Sequence, residues 1–468
     1  MSIFNKIKNS TPVANTTNNA GWSAIKQSAK LEAISLVLTS FVRDKFYTSA
    51  QDDLTRLKSL ADKVEPEFLA KLAVFARTKF GMRSITHALA GYLAPHLSGK
   101  PYAKSFYDKI VHRVDDMQEI LAVIQSTSKK CVPNAVRKGF KSAFERFDAY
   151  QLAKYRTENK AIKLVDIVNL IHPKHNKSLE KLIKGELKNE QTWEAKLSAA
   201  GNSNNATAKE EAWSEQILNK KLGYLALIKN LRNIEAQLQG AWAQILTGSL
   251  INQLTDVTSI AKSLVMPFQI KTAYDIVTNR DLKVALSQAM ELSVRNVPRF
   301  PGKTAIFLDR SGSMNGVIGI ASLFAAVLAK SNNATIINFG SSANYHNYNP
   351  ASILADIQQP LNSADLGGTN FDVSFNLLNE PVDRIIILSD MQAWEGRNLP
   401  TAAFKNYRSR TGANPYIYSF DLCGSGTMQF PEDKVFTLAG FHGDILQIMW
   451  MLEQDKDALI REIESITL

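Results

Sequence analysis

Three short segments carry oxygen-bearing side chains at spacings that could hold a metal ion. Asp309-Arg310-Ser311-Gly312-Ser313 places one carboxylate and two hydroxyls on a D-x-S-x-S spacing. Gly367-Gly368-Thr369-Asn370 adds a hydroxyl beside glycines that permit close backbone approach, and Ile387-Leu388-Ser389-Asp390 adds a second carboxylate. Oxygen donors without His or Cys suit a hard divalent cation, Mg²⁺ before others, which prefers an octahedron of oxygens and retains water. The expected metal set is therefore Asp309, Ser311, Ser313, Thr369 and Asp390. A plainer role, in which Asp309 and Ser311 only cap the next helix, accounts for the first segment and leaves the other two as coincidence.

Other catalytic chemistry is hard to place. Gly302-Lys303-Thr304 ends like a phosphate-binding loop, but the earlier glycine would fall at Val297 and the triplet precedes its strand. There is no His-Glu-x-x-His element, no nucleophile elbow and no paired-carboxylate motif in an active-site context. No catalytic residue is expected. A ribonuclease is the competing enzyme reading, and a metal-dependent protein-interaction module without RNA is the other alternative.

The elements that must position these residues change type near residue 300. From Trp22 to about Arg295 the apolar spacing is helical, as at Leu57, Leu60, Ala61 and Val64, with Glu65-Pro66-Glu67 as a stop and restart. Gly201-Asn202-Ser203-Asn204-Asn205 precedes a capping box of Thr207 with Glu210. Stacked helix pairs follow as the architecture. After Pro298 and Pro301, short apolar runs at residues 304–309, 334–339, 384–390, 415–422 and 434–439 alternate with helical segments at 318–330, 371–379 and 444–453. That alternation predicts a mainly parallel, doubly wound sheet, whose ligands sit at the carboxyl ends of strands. The expected division is a flexible tail over residues 1–21, a helical domain over 22–300 and an α/β domain over 301–468.

Charge follows the same division. The chain of 468 residues carries a net +11, but residues 301–468 hold 11 basic and 17 acidic residues, net −6, leaving +17 for residues 1–300. Residues 129–188 alone have 15 basic and 6 acidic side chains. Nucleic acid would explain such a concentration, and a solvated face is the bland alternative. In residues 133–147, Val136, Phe140, Phe144 and Phe147 share one helix face, with Lys138 and Lys141 opposite and Arg137 on the flank. In residues 222–234, Tyr224, Leu227, Leu231 and Ile234 are apolar partners, and Lys229, Asn230, Arg232 and Asn233 gather on the other side. Amides beside cations suit phosphates and base edges together. No apolar run reaches the roughly 18 residues of a membrane span, residues 1–10 lack a secretory apolar core, and Cys131 and Cys423 lie far apart. A reducing, cytoplasmic setting is the expectation.

The metal constellation resembles the metal-ion-dependent adhesion site of von Willebrand factor A domains. That resemblance implies direct coordination by Ser311, Ser313 and Thr369, with Asp309 and Asp390 acting through water or the hydroxyls, and an open position for a partner protein's carboxylate. Further motifs stand in the helical half. They are Arg43-Asp44-Lys45-Phe46-Tyr47-Thr48, Phe80-Gly81-Met82-Arg83-Ser84-Ile85-Thr86-His87, Val132-Pro133-Asn134-Ala135-Val136-Arg137-Lys138-Gly139, Tyr150-Gln151-Leu152-Ala153-Lys154-Tyr155 and Leu225-Ala226-Leu227-Ile228-Lys229-Asn230-Leu231-Arg232-Asn233. In this order they resemble the TROVE domain of the Ro autoantigen family, in which a von Willebrand A domain follows the helical part. The resemblance implies a ring of HEAT-like helical repeats closed by the A domain. It also implies non-catalytic RNA binding: small structured Y-like RNAs on the outer basic surface, single-stranded ends of misfolded RNAs in the hole, and an exoribonuclease partner such as polynucleotide phosphorylase. His87 and His172 are read as packing or RNA-contact residues. With Arg83, Arg137, Lys138, Lys141, Lys154, Lys229, Arg232 and Asn233 they complete the expected RNA-binding set.

Overall fold

The computed structural model describes residues 16–17, 23–26, 28–39, 50–127, 131–154, 160–187, 197, 200, 208–238, 243–263, 265–392, 395, 400–422, 427–428, 435–438, 446, 449 and 458–468. The segments 43–48 and 201–207, Tyr155, Cys423 and most of the expected helix at 444–453 lie outside them. The helical half runs through α1 (Ala29–Thr39), α2 (Ala50–Lys63), α3 (Pro66–Lys79), α4 (Ser84–Tyr92), α5 (Ala103–Lys109) and α6 (Val114–Thr127). It continues with α7 (Asn134–Phe144), α8 (Ala149–Lys154), α9 (Leu164–Ile171), α10 (Lys177–Ile183) and α11 (Ala208–Leu218). Five more follow: α12 (Tyr224–Glu235), α13 (Ala243–Leu254), α14 (Val257–Ser263), α15 (Pro267–Ile276) and α16 (Arg280–Ser293). Helices pack on near neighbours in sequence, α4 on α6, α5 on α7 and α15 on α16, as stacked pairs do. No described helix is long and apolar enough to cross a membrane.

Two expectations need correction at the N-terminal end. Thr16–Thr17 (β1), within the expected tail, pairs with Ser23–Lys26 (β2), which interrupts the expected helical run, and β2 pairs in turn with Thr427–Met428 (β8). A strand of two to four residues has no periodicity to read. β1 and β2 are neighbours in sequence, but β8, the other partner of β2, lies about 400 residues away, and sequence spacing cannot show it.

The α/β domain holds a six-stranded sheet in the order β5-β4-β3-β6-β7-β9. Its strands are β3 (Thr304–Asp309), β4 (Thr335–Phe339), β5 (Ala343–His346), β6 (Arg384–Ser389), β7 (Tyr416–Asp421) and β9 (Val435–Leu438). All pair in parallel except β5, an antiparallel edge that the alternation pattern missed. Every residue of β3 and β6 is buried, as expected of central strands covered on both faces. The helices are α17 (Ile318–Asn332), α18 (Leu354–Gln358), α19 (Asp372–Leu377), α20 (Pro400–Thr411) and α21 (Ala458–Glu464). Gly302, Lys303 and Thr304 form only the turn into β3, where the Lys303 amide donates to Asp383 at 2.7 Å.

α17 is apolar almost all round because it is covered on both sides. Phe324 stacks on Phe268 of α15 at 5.6 Å and meets Phe420 of β7 at 5.2 Å, so one ring joins the helical half to the sheet. Beside it Lys330 pairs with Glu291 of α16 at 2.6 Å. At the other end of the chain α21 packs on α3, where Lys71 donates to the Glu464 carbonyl at 2.8 Å and Lys109 to that of Thr467 at 2.7 Å. The α/β domain thus touches both the first and the last helices of the helical half, and the chain closes on itself.

A buried ion network fixes α3, α4 and α6. The Asp116 carboxylate, fully buried, accepts from Arg77, from the His112 and Arg113 amides and from His87 Nε2, each at 2.9 Å, and from Arg83 at 3.2 Å. Burial alone would raise this carboxyl, but the hydrogen bonds and charges of His87 and Arg77 hold it well below the usual carboxylate range. Arg83 was expected to contact RNA, and His87 to pack or to contact RNA. The structure buries His87, 5% exposed, which leaves it the packing role, and pairs the partly exposed Arg83 with Asp115 and Asp116.

Asp116→Ala should cost about 3–5 kcal/mol by urea unfolding, because it strands buried cations. Removing the exposed Lys160–Glu119 pair should change stability by no more than about 1 kcal/mol. Equal effects would refute the structural role given to Asp116.

Candidate metal centre and nucleic-acid interface

The strand order reverses between β3 and β6, and a crevice forms at the carboxyl ends of strands on either side of such a point. Asp309 ends β3, Ser311 and Ser313 sit on the turn after it, and Asp390 follows β6 directly. Backbone bonds then gather the loops. The Gly312 amide donates to Gly367 at 2.9 Å, that of Leu366 to Arg310 at 3.0 Å, and that of Ser341 to Leu366 at 2.7 Å. The approach is close enough that a Cβ on Gly340 would lie 2.3 Å from the Leu366 carbonyl oxygen. Gly367 takes φ +77°, so the residue type found there is the one its backbone needs.

The five expected residues are brought together and buried. Asp309, Thr369 and Asp390 are fully covered, Ser311 is 1% exposed and Ser313 is 8% exposed. Asp309 accepts from the Ser311 amide at 2.9 Å and from the Ser389 hydroxyl at 2.5 Å, and the hydroxyls of Ser311 and Ser313 are 3.3 Å apart. Burial raises both carboxyls above their ordinary range. Asp309's charge adds to that rise at Asp390, while the Ser311 and Ser389 hydroxyls oppose it at Asp309. Thr369 Oγ1 and Asp390 Oδ2 are buried with no hydrogen-bond partner. Two desolvated carboxylates and three hydroxyls, with two of their oxygens orphaned, are a donor set that a hard cation fits. No group of three or more His, Cys, Asp and Glu side chains suited to a metal occurs among the described residues, so a cation here depends on the hydroxyls.

Two positioning residues escaped the sequence reading. Ser389 bridges Asp309 and the Met391 amide (3.0 Å), and Met391 is held at φ 59°, a left-handed value rare for a side chain of this size. Arg310 reaches across to the loop that carries Thr369, donating to the Ser363 carbonyl at 2.8 Å and to Asp365 at 2.7 Å. Their only sequence signal was adjacency to the motif.

On the helical side, α7 buries Val136, Phe140 and Phe144 and leaves Arg137 and Lys138 exposed and Lys141 half-buried. None of these three cations has an ion-pair partner among the described residues. α12 buries Tyr224, Leu227, Leu231 and Ile234 and exposes Lys229, Arg232 and Asn233. Asn230, on the same face, turns its amide back to the Ala226 carbonyl at 2.8 Å. His172 is exposed at the C-terminus of α9 in a left-handed conformation, φ 46°. The side chain of Lys154 lies outside the described residues.

Comparison with known proteins adds three findings. The TROVE domain profile matches residues 43–186 and 183–306. Telomerase protein component 1 of Mus musculus is 30% identical over 137 residues, covering 27% of this chain, and that of Rattus norvegicus is 28% identical over 141 residues, covering 28%. The chain spans only 5% of the length of these relatives. The crystal structure of the Deinococcus radiodurans RO (RSR) protein shares the fold, with a TM-score of 0.64 at 15% identity over 90% of this chain and 98% of that one. Because the matched segments together cover more than half of its residues, the chain belongs to the TROVE domain family, a family of RNA-binding ribonucleoprotein components.

Proposed function

We propose that this protein is a non-catalytic RNA-binding scaffold acting in RNA quality control or processing in the cytoplasm. The observation that carries this is the row of cations on α7 without ion-pair partners among the described residues, in the half of the chain that holds the whole basic surplus. A helix with an apolar inner face and free cations outside offers point charges to the phosphates of a stem, as small structured Y-like RNAs would present. Lys229, Arg232 and Asn233 combine charge with an amide, which suits the single-stranded ends of misfolded RNA. The rodent relatives are named as components of telomerase. The shared segment is too small a part of them to carry that assignment here. A processing exoribonuclease, such as polynucleotide phosphorylase, is the partner this reading adds.

In the α/β domain Ser311, Ser313 and Thr369 would hold Mg²⁺ directly, with Asp309 and Asp390 behind them. When bound, the ion supplies an electrophilic position for a carboxylate of a partner protein. Arg310 and Ser389 hold the loops in place for it.

Neutralising Lys138 and Lys141 to Gln should lower affinity for a structured RNA and flatten the log–log salt dependence by about 1–2, close to one per lost phosphate contact. An unchanged slope in a salt titration would make them a solvated face. Arg232→Ala should remove the advantage of a single-stranded tail while leaving a bare stem nearly unaffected; equal weakening of both would argue for one continuous surface. Ser311→Ala should abolish the rise in melting temperature that Mg²⁺ gives the wild type and leave RNA affinity unchanged. Loss of RNA affinity along with that rise would overturn the division of labour.

A further inference from the structure

Of the oxygen-bearing side chains gathered beyond β3 and β6, that of Thr369 alone makes no hydrogen bond among the described residues. It is fully buried, so water does not orient it either. A β-branched side chain has little freedom about its first torsion, and the direction of its hydroxyl therefore follows the backbone. Whatever holds the main chain on either side of Thr369 holds the donor itself.

That main chain is tied at three places. The Thr369 carbonyl accepts from the Glu395 amide at 3.2 Å, and the Asn370 amide donates to the Gly340 carbonyl at 3.0 Å, so the peptide after Thr369 is fixed at both ends. Before Thr369, the Gly368 amide donates to the Ser341 hydroxyl at 2.8 Å. A serine hydroxyl has one proton, and Ser341 gives it to the Glu395 carboxylate at 2.8 Å, which leaves the lone pairs of its oxygen for Gly368. The fit is close: a Cβ on Gly367 would lie 2.8 Å from the Ser341 oxygen. Glu395 is half-buried and makes no ion pair among the described residues, so its carboxylate serves this hydroxyl. One residue thus holds the Thr369 segment twice, once through its own amide and once through Ser341.

A site for a small cation needs such restraint. Mg²⁺ demands a near-ideal octahedron with oxygens at about 2.1 Å, whereas Ca²⁺ accepts a looser and more variable shell at about 2.4 Å. A donor allowed to drift is lost to the smaller ion before it is lost to the larger. We propose that Ser341 and Glu395 form a clamp that positions Thr369, and that this clamp sets a preference of the site for Mg²⁺ over Ca²⁺. The proposal rests on the metal-site reading above and adds to it two positioning residues, which act through Thr369 and not as ligands.

The test uses the full chain, with calorimetric titration of Mg²⁺ alone and of Ca²⁺ alone, and melting temperatures in the presence of a chelator. The variants are Glu395→Ala, Glu395→Gln, Ser341→Ala and the double alanine variant. The alanine variants keep the backbone tie of residue 395 and lose the route through the hydroxyl, while glutamine keeps an acceptor without the charge. Wild type should bind Mg²⁺ the more tightly. Glu395→Ala and Ser341→Ala should each weaken Mg²⁺ about tenfold, as loss of a group that orients a metal ligand does, and Ca²⁺ by no more than about threefold. Glu395→Gln should stay within about threefold of wild type for both ions. The double variant should lose no more than about tenfold, because the two residues act as one unit. Metal-free melting temperatures should stay within about 3 °C of wild type.

A wild type that prefers Ca²⁺, unchanged Mg²⁺ affinity in the alanine variants, or equal losses for the two cations overturns the proposal. So does glutamine as poor as alanine, which would make Glu395 a source of charge and not a clamp. Losses that multiply to about a hundredfold in the double variant would separate the two residues, and a larger fall in the metal-free melting temperature would assign them to the fold; either result sinks the clamp. If wild type binds neither cation, the metal-site reading itself fails, and the clamp has nothing to position.

Discussion

The helical half depends on one carboxylate. Asp116 is fully buried, and a bare anion there would be costly, yet it collects five donors from three separate stretches of chain: Arg77 on α3, Arg83 and His87 at α4, and the two amides that open the turn into α6. Each donor is itself a group that could not be buried unpaired. The consequence is mutual: α3, α4 and α6 can come together only with this anion among them, and the anion can be buried only if all three arrive. Because the His112 amide is one of the donors, the same network fixes the turn that forms one wall of a hollow beside Arg146. A core constraint thereby sets the shape of a surface.

The second constraint is closure. A row of stacked helix pairs has two ends, and each would expose apolar surface that its neighbours inside the row bury. Here both ends are covered by the α/β domain, one through Phe268, Phe324 and Phe420, the other through α21 on α3. The two seams differ in chemistry. The first is aromatic, with the Lys330–Glu291 ion pair beside it. The second joins a buried Ile463 to a polar fringe in which Lys30, Lys71 and Lys109, from three helices, all bind the stretch between Glu464 and Thr467. Lys71, placed on the last carbonyl of α21, also meets the negative end of its dipole.

What could be read from the sequence was whatever is local. The D-x-S-x-S spacing, the strand-end carboxylate at Asp390 and the apolar faces of α7 and α12 all follow from periods of two or 3.6 residues, and the structure places them accordingly. What failed was pairing at a distance. In the segment from Phe80 to His87, Asp115 and Asp116, about thirty residues later, hold His87 inside and take hydrogen bonds from the partly exposed Arg83. No spacing rule connects the two. The strands β1, β2 and β8 were missed for the same reason, and the roles of Arg310 and Ser389 appear only once the loops they tie are seen side by side.

The opposite charges of the two halves bear on how their sites divide the work. A polyanion approaching the molecule meets a field that is positive over residues 1–300 and negative over residues 301–468, and at physiological salt each is felt within roughly 8 Å. RNA is therefore drawn to the helices and away from the acidic domain. Yet the halves are not independent: Ser35 of α1 donates to Asp421 at 3.3 Å, at the end of the strand next to β6, and the charge of Asp421 is one of those that raise Asp390. A helix of the basic half thus supports a carboxylate that bears on the electrostatics of the candidate metal centre.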